Sequence, residues 1–367
     1  MRHDVVFYVP SIAPLLAEDP RRPAGGAETQ VRLLARALAA SGVRVAVVAF
    51  DHPGLPDEDE GVTVLRRPPH QAGVARETRA ILSALRGAPC DVVVTRQAGA
   101  HTGVVALASR LLRRRFVYSA ANVIDFQFTS FQSHRAKSML FEAGLRLADG
   151  IVAQTDEQRD LCARKLGVTP PVIRSLAETA APRTAPPEAF LWAGRVIGYK
   201  QPLAYLELAR SVPDALFWMV AVPDSALEAD RVLLHQVIEQ AATVPNLRLL
   251  PPCPRAELLG LMDRAVAVVS TSSSEGMPNI WLEGWARGIP ALTLEHDPDA
   301  LINRHGLGLA CQGSPTRLAA AARTLWSSRD DQGELSARCR AYVAAEHAPD
   351  VVARKWCDAL GLPTSRR

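Results

Sequence analysis

The stretch that decides the fold of this chain is residues 274–283, with the sequence Ser-Glu-Gly-Met-Pro-Asn-Ile-Trp-Leu-Glu. An apolar run at residues 265–269 precedes it and predicts a buried strand. Pro278 suits the first turn of a helix, where no backbone N–H is needed. Gly288 and Pro290 then predict the end of that helix. The stretch therefore predicts a strand–loop–helix unit of an α/β fold.

Two glutamates flank this predicted helix start. Glu275 lies in the loop, and Glu283 lies about one turn into the helix. A helix N-terminus presents backbone N–H groups and a positive dipole end to an anion, and carboxylates accept hydrogen bonds from hydroxyls. Phosphate donors beside hydroxyl acceptors are what a nucleotide sugar requires. The alternative is an ordinary α/β turn that carries two surface glutamates.

Composition limits the class of protein. A chain of 367 residues, 48% hydrophobic and 22% charged, is long enough for two soluble domains. The net charge of +4 is too small to indicate a nucleic-acid partner. The six cysteines form no C-x-x-C pair, which argues against a zinc site or a disulfide framework. With no signal segment and no apolar run of about 20 residues, we expect a cytoplasmic protein.

Short β-rich runs alternate with amphipathic helical stretches, which predicts parallel sheets covered by helices. Strands are predicted in the first half at residues 5–9, 43–50, 62–65, 91–95, 116–119 and 150–154. In the second half they are predicted at residues 189–192, 216–222, 247–250, 266–270 and 291–294. Residues 170–187 are rich in Pro and Ala and indicate a linker. The last helix is predicted over residues 341–360. The pattern predicts two doubly wound domains of similar size.

Two further loops carry groups suited to a diphosphate. Gly25 and Gly26 follow the first strand and open a helix, so backbone N–H groups can approach a ligand without a Cβ in the way. Arg195 and Lys200 follow the first strand of the second domain, before a helix that begins at Pro202. The alternatives are an ordinary βα turn for the glycines and solvated surface charges for the cations.

The segment from Glu275 to Asn279, together with Glu283, resembles the E-x7-E signature, with its embedded E-G-x-P-N, of retaining nucleotide-sugar glycosyltransferases of the GT-B fold, in particular glycosyltransferase family 4. The paired glycines and the Arg–Lys pair fit the same family order. The resemblance implies an α/β GT-B architecture of two doubly wound Rossmann-like domains facing across a cleft. Residues 1–178 would form the acceptor domain and 188–345 the donor domain. Residues 346–367 would form a helix packing back on the first domain.

The resemblance also implies roles for single residues. Arg195 and Lys200 would hold the donor diphosphate, and Glu283 would accept from the ribose hydroxyls. Glu275 would bind the donor sugar and act with the two cations in catalysis. The remaining donor-site residues would be Gly25, Gly26, Leu250, Gly276, Met277, Pro278 and Asn279. No D-x-D metal motif stands in a suitable loop, so we expect neither a metal nor a cofactor, and a UDP- or GDP-linked sugar as donor.

The chain departs from the family pattern in two places. Family members usually carry a histidine after the strand at residues 116–119, and here Asn122, Asp125 or His134 would take over on the acceptor side. A glycine-rich turn is also missing after residue 222. These departures keep open a non-catalytic GT-B protein that binds a nucleotide sugar or a partner.

A basic cluster consists of Arg110, Arg113, Arg114 and Arg115, with Leu111 and Leu112 among them. It suits a helix C-terminus, where cations are favourable, and it also suits an anionic membrane or a lipid-diphosphate acceptor. The function expected from the whole sequence is a retaining, metal-independent glycosyltransferase of cell-surface polysaccharide or glycolipid synthesis. Its acceptor would be a carbohydrate or lipid-linked hydroxyl, and peripheral contact with the inner membrane face would be possible.

Overall fold

The computed structural model describes residues 2–19, 25–70, 73–96, 98–127, 135–223 and 227–362. The chain divides into two compact units. One unit contains Met1–Leu176 and Ala348–Arg367, and the other contains Ala177–His347. The segment at the change of unit, residues 167–188, forms neither helix nor strand apart from one isolated bridge, between Val172 and Ala153.

The first unit contains strands and helices in alternation. Its strands are β1 (His3–Tyr8), β2 (Val45–Phe50), β3 (Glu58–Asp59), β4 (Val62–Arg67), β5 (Cys90–Thr95), β6 (Arg115–Ser119) and β7 (Gly150–Val152). Its helices are α1 (Ala13–Leu16), α2 (Gly26–Ala40), α3 (Val74–Gly87), α4 (His101–Leu111), α5 (Ile124–Gln127), α6 (Arg135–Arg146) and α7 (Asp156–Leu166), with a 3₁₀ turn at Pro10–Ile12.

The second unit repeats the alternation. Its strands are β8 (Ala189–Arg195), β9 (Phe217–Val222), β10 (Leu247–Leu250), β11 (Ala265–Ser270), β12 (Ala291–Thr293) and β13 (Gly308–Ala310). Its helices are α8 (Pro202–Ser211), α9 (Glu228–Ala241), α10 (Arg255–Asp263), α11 (Asn279–Ala286), α12 (Leu301–His305), α13 (Pro315–Ser327) and α14 (Gly333–Glu346), with 3₁₀ turns at Gly198–Lys200 and Pro298–Ala300. The last helix, α15 (Pro349–Leu360), lies in the first unit.

Both sheets are doubly wound. The first has the strand order β3-β4-β2-β1-β5-β6-β7, and its strands run parallel except for the short β3. The second has the order β10-β9-β8-β11-β12-β13 and is parallel throughout the strands that the structure describes. In each sheet the winding direction reverses at one point, between β1 and β5 in the first and between β8 and β11 in the second. Ligands of open α/β sheets bind at such switch points, beyond the carboxyl ends of the strands.

Apolar side chains fill both faces of each sheet. In the first unit, Val5 and Phe7 point to the face covered by α2 and α15, whereas Val6 and Tyr8 point to the face covered by α3, α4 and α6. This alternation follows from the two-residue period of a strand, and burial on both faces explains the nearly continuous apolar runs in the sequence.

The helix after β11 begins and ends close to the predicted residues. The helix starts at Asn279, so Pro278 is its N-cap residue. The sequence had predicted Pro278 within the first turn. At the other end Gly288 has a φ of +80°. The N–H of Ile289 donates to the carbonyl of Gly284 at 2.8 Å, and the N–H of Gly288 donates to that of Trp285 at 3.0 Å. This pair of bonds is a Schellman motif, which favours glycine at its left-handed position.

Several predicted boundaries were wrong. One strand was expected to begin at residue 43, but β2 begins at Val45. Another was expected to end at residue 154, but β7 ends at Val152. Arg195 was placed in a loop and is the last residue of β8. The single helix expected over residues 341–360 is two helices, because the chain is extended at Ala348 and restarts with a proline in the first turn of α15.

Two short strands were not predicted. β3 has only two residues and both are acidic, which gives no strand signal. β13 begins at Gly308, a poor strand former. The φ of Gly308 is +146°, and a Cβ on this residue would lie 1.9 Å from the carbonyl oxygen of Ala291. Glycine is therefore required at residue 308 by the close approach of β12.

Candidate nucleotide-sugar site

Two of the predicted donor-site residues, Lys200 and Glu275, meet at the switch point of the second sheet. Lys200 lies in the 3₁₀ turn that follows β8, and Glu275 lies in the loop that follows β11. Since β8 and β11 are neighbours in the sheet, the two loops come together although 75 positions separate them in sequence.

Lys200 and Glu275 form a direct ion pair. The Lys200 ammonium donates to Glu275 Oε1 at 2.5 Å, and the hydroxyl of Ser272 donates to the same oxygen at 2.9 Å. Both charged side chains are mostly buried, with exposures of 22% for Lys200 and 14% for Glu275. Oε2 of Glu275 accepts no hydrogen bond from any residue that the structure describes. The carboxylate is thus oriented through one oxygen, and the other remains available to a hydroxyl group.

Backbone and side-chain contacts fix the turn that carries Lys200. The hydroxyl of Thr271 donates to the carbonyl of Lys200 at 2.6 Å and accepts from Trp192 Nε1 at 3.1 Å. The N–H of Ser273 donates to the carbonyl of Tyr199 at 2.9 Å. The loops after β8 and β11 are therefore bonded to each other as well as to the sheet, which limits the positions available to the Lys200 ammonium.

Arg195 and Tyr199 complete the charged part of this site. Arg195 is exposed at the end of β8 and interacts with the hydroxyl of Tyr199. Burial, followed by the negative charge of Glu275, raises the pKa of Tyr199, while the charges of Lys200 and Arg195 act in the opposite direction. Tyr199 is thus a neutral hydroxyl between a carboxylate and two cations. Arg195 and Lys200 lie on the same strand–turn segment, and their joint contact with a diphosphate stays a prediction.

The segment between Glu275 and the helix is buried. Gly276, Met277 and Pro278 are covered, and Met277 packs into the core beside Trp281. A buried segment that enters directly into a helix holds the first N–H groups of that helix in fixed positions, and these positions suit an anion. Asn279, the first residue of α11, is half-buried.

Glu283 also has a cationic partner. Arg255 Nη1 donates to Glu283 Oε1 at 2.5 Å, and Arg255 Nη2 donates to Glu178 Oε2 at 3.0 Å. Burial alone would lower the pKa of Arg255, but the two carboxylates outweigh it and raise the pKa. Arg255 is the first residue of α10, which follows β10 in the chain, and Leu250, a predicted donor-site residue, is half-buried at the end of β10. Sequence reasoning missed Arg255, because 28 positions separate it from Glu283.

A Glu283→Ala substitution is expected to raise the KM for the donor about tenfold or more while changing kcat little. The reason is that two hydrogen bonds to a charged acceptor would be lost far from the reacting bond. Steady-state kinetics with the ribose donor and its 2′,3′-dideoxy analogue measures this. The substitution should cost nothing further with the analogue, which lacks the hydroxyls. An equal loss with both donors would contradict the ribose role.

The glycine pair of the first unit lies at its own switch point. Gly25 is the N-cap of α2 and Gly26 is its first residue, after β1 in the chain. A Cβ at Gly25 would lie 2.5 Å from Glu28 Oε2, so the glycine leaves room for the carboxylate. Glu28 Oε1 in turn accepts from the hydroxyl of Ser11 at 2.8 Å. Residues 20–24, which precede the pair, lie outside the described residues.

The structure separates the three acceptor-side candidates. Asp125 is buried, and its Oδ2 accepts from the N–H of Ala121 at 2.8 Å, the N–H of Asn122 at 3.2 Å and the hydroxyl of Tyr118 at 3.1 Å. Burial raises its pKa, although these donors act the other way. Asp125 therefore holds the turn after β6 together, and the half-buried Asn122 is the more accessible of the two. His134 lies outside the described residues.

Two polar groups at the carboxyl edge of the first sheet were missed by sequence reasoning. Arg96 follows β5, is buried, and donates to the hydroxyls of Ser119 at 3.0 Å and Ser175 at 3.2 Å. Burial lowers its pKa to about 10, against the opposing charge of Asp125. His101 begins α4, and burial lowers its pKa to about 4, so its imidazole is neutral. The sequence did contain one indication of Arg96, since it is a polar residue directly after an apolar strand.

The described parts of the chain contain neither a cluster of metal ligands nor a membrane-spanning helix. Within those ranges there is no group of three or more His, Cys, Asp or Glu side chains placed to hold a metal ion. No helix among the described residues is both long enough and apolar enough to cross a bilayer.

Solved structures share this architecture over nearly the whole chain. Sucrose-phosphate synthase from Thermosynechococcus elongatus matches with a TM-score of 0.77 at 15% identity, covering 97% of this chain and 98% of the other. HepE from Anabaena, in complex with UDP and glucose, matches with a TM-score of 0.75 at 16% identity, covering 98% and 99%. A glycosyltransferase from Rickettsia africae matches with a TM-score of 0.71 at 14% identity, covering 98% of each chain. No curated protein matches the sequence significantly.

The chain thus has the GT-B fold that these structures share. Residues 24–175 also match the family model described as Glycosyltransferase Family 4. The resemblance inferred from Glu275, Glu283 and the other motifs is confirmed, and so is the expected α/β GT-B fold.

Proposed function

We propose that this chain is a retaining glycosyltransferase that moves a sugar from a nucleoside-diphosphate donor to an acceptor hydroxyl. The observation that carries the proposal is the convergence of Lys200 and Glu275 at the switch point of the second sheet. A cation for the diphosphate and a carboxylate for the sugar hydroxyls lie within one hydrogen bond of each other. The two groups are close enough to contact neighbouring parts of one sugar phosphate.

In this proposal the cations bind the diphosphate and the carboxylates bind hydroxyl groups. Lys200 and Arg195 neutralise the diphosphate and stabilise it as negative charge develops on the leaving group, with the N-terminus of α11 adding N–H donors. Glu275 binds hydroxyls of the donor sugar through the oxygen that Lys200 and Ser272 leave open. Glu283, held by Arg255, binds the ribose.

A retaining outcome fits a front-face reaction. The acceptor hydroxyl attacks C1 of the donor sugar from the side on which the diphosphate leaves, the C1–O bond to the phosphate breaks, and the acceptor proton passes to the departing phosphate oxygen. The proposal assigns Glu275 to binding the sugar and assigns no side chain as a covalent nucleophile. The proposal includes independence from metal ions, which activity in the presence of EDTA tests.

The donor is proposed to carry uridine or guanosine. HepE, a protein of the same fold, was crystallised with UDP-glucose, and this supports uridine as the first base to test. The acceptor is proposed to be a carbohydrate or lipid-linked hydroxyl of cell-surface polysaccharide or glycolipid synthesis, used by a cytoplasmic protein in peripheral contact with a membrane.

Calorimetry with UDP-, GDP-, ADP- and dTDP-sugars, followed by a donor hydrolysis assay, tests the proposal. One nucleotide is expected to bind in the micromolar range with slow hydrolysis of its sugar, and the anomeric configuration of any product, read by NMR, should match that of the donor. Binding of none of the four donors would refute the proposed site. Tight binding without turnover would instead support the non-catalytic GT-B alternative, and an inverted product would refute retention.

A further inference from the structure

The outer surface of helices α4 and α6 carries features that the nucleotide-sugar site does not use. The two helices lie side by side on the same face of the first sheet, with Phe141 and Leu145 in the core below them. Glycines allow the close contact between them. A Cβ at Gly103 would lie 2.3 Å from the carbonyl oxygen of Leu140, and a Cβ at Gly144 would lie 2.7 Å from the backbone nitrogen of Gly103. The pair therefore forms one continuous surface, here called the α4–α6 face.

Large apolar side chains are exposed on this face. Leu107 and Leu111 of α4 are 52% and 68% exposed, and Met139 of α6 is 70% exposed. Leu140 and Leu147 are exposed as well. Of the eleven large exposed apolar residues in the described ranges, these five lie on or next to two neighbouring helices. Single exposed leucines are ordinary on a protein surface, but a group of this kind marks an interaction site.

Cations surround these apolar side chains. Arg110 and Arg113 lie at the end of α4, and Arg135 and Lys137 lie in the first turn of α6. All four are exposed, and none pairs with a carboxylate among the described residues. The nearby acids are already engaged, since Glu142 pairs with Arg146 and Asp149 accepts from the N–H of Phe116. The charge of the face is therefore positive.

A pocket of about 330 Å³ opens at the end of α4. It is lined by Ala106, Arg110, Arg113, Arg114, Arg115, Leu147 and Asp149. Two of these arginines are anchored internally. Arg114 donates to the carbonyl of Ala88 at 2.7 Å and Arg115 to that of Leu360 at 2.7 Å. Arg110 and Arg113 carry the remaining positive charge of the pocket lining. Two neighbouring arginines suit a phosphate group as their ligand.

We infer that the α4–α6 face docks onto an anionic phospholipid bilayer. The apolar side chains would enter the boundary between headgroups and acyl chains while the surrounding cations meet lipid phosphates, which is the arrangement of a surface-bound helix pair. The charge favours an anionic lipid surface over a second copy of this chain, because two copies would bring the same positive faces together. This docking gives the proposed glycosyltransferase a defined surface for reaching a lipid-linked acceptor, but it does not depend on the sugar-transfer chemistry.

Vesicle co-sedimentation of the full chain, without any nucleotide sugar, tests the inference. The protein should bind phosphatidylcholine vesicles that contain phosphatidylglycerol, and should bind pure phosphatidylcholine vesicles much less. Reversing two cations with Arg110→Glu and Lys137→Glu should weaken binding at least about 30-fold, since each cation near the surface contributes roughly a five- to tenfold factor. Leu111→Ser with Met139→Ser should weaken binding to the same vesicles without changing its salt dependence.

The matched control is Arg354→Glu with Lys355→Glu. It makes the same change in net charge on α15, which covers the opposite face of the same sheet. The control should bind like the wild type. Equal loss in the control, or no binding of the wild type to anionic vesicles, would overturn the inference. A lipid-free dimer that the Leu111→Ser and Met139→Ser variant dissociates, without vesicle binding by the wild type, would instead assign the face to self-association.

Failure of this test can be distinguished from failure of the proposed function. Donor binding and hydrolysis involve the second unit and are measured without lipid. A charge-reversed variant that hydrolyses donor normally but does not bind vesicles supports both proposals. A wild type that binds vesicles but no nucleotide sugar supports the docking surface alone.

Discussion

Lys200→Ala and Glu275→Gln are each expected to lower kcat/KM for sugar transfer by about 10²- to 10³-fold, the usual loss when one preorganised charge is removed from a reacting centre. Under the proposed function, Lys200→Ala removes the cation that would face the leaving diphosphate. Glu275→Gln keeps the shape of the side chain but removes the charge that pairs with Lys200 and that would bind the sugar. Steady-state kinetics with saturating acceptor measures both.

The pair offers a sharper experiment than either residue alone. If Lys200 and Glu275 act on one donor molecule as a unit, the double variant should lose less than the product of the two single losses. Arg231→Ala is the control, since it breaks the ion pair between Arg231 and Glu228, which lies in the same unit on the exposed surface of α9. It should leave kcat/KM within about twofold. Wild-type kinetics in both Lys200→Ala and Glu275→Gln would remove this site from the mechanism.

Trp356→Ala is expected to destabilise the first unit by about 3–5 kcal/mol, the cost of deleting a buried aromatic side chain. Trp356 is buried in α15, which packs against α2, and shares a core with Leu34 and Val352. Urea unfolding followed by circular dichroism should show the transition of the first unit moving to lower urea while that of the second unit stays in place.

The control for this prediction lies two residues earlier in the same helix. Arg354 is exposed and approaches only Asp350 among the described residues, at 3.9 Å. Arg354→Ala should shift the transition by no more than about 0.5 kcal/mol. If Trp356→Ala left both transitions unmoved, α15 would not be part of the first unit's core in solution.

The sequence predicted most of the strands along the chain and the loops that carry Lys200 and Glu275, because apolar runs and glycines mark both. It did not predict the bond between them, which depends on β8 and β11 becoming neighbours in a sheet. The strand order brings these loops together, and strand order is a property of the whole fold.

Asp125 shows why the acceptor side was harder to predict. Its sequence context after a strand suggested a ligand contact, yet the carboxylate turns inward to two backbone N–H groups and a tyrosine. An aspartate near a turn can bond to its own backbone or face a ligand, and local sequence does not decide between them. Arg96 shows the opposite case, since its burial between Ser119 and Ser175 depends on residues far apart in the chain.

The return of the C-terminal segment to the first unit has a consequence for biosynthesis. The second unit is one continuous stretch, Ala177–His347, and can fold as soon as it leaves the ribosome. The first unit lacks α15 until the residues of the second unit have been made, so the apolar surface of α2 that Trp356 covers stays uncovered during that time. At about 5–20 residues per second this interval lasts roughly ten to thirty seconds. A ribosome that stalls just after residue 347 therefore leaves a complete second unit joined to a first unit without α15.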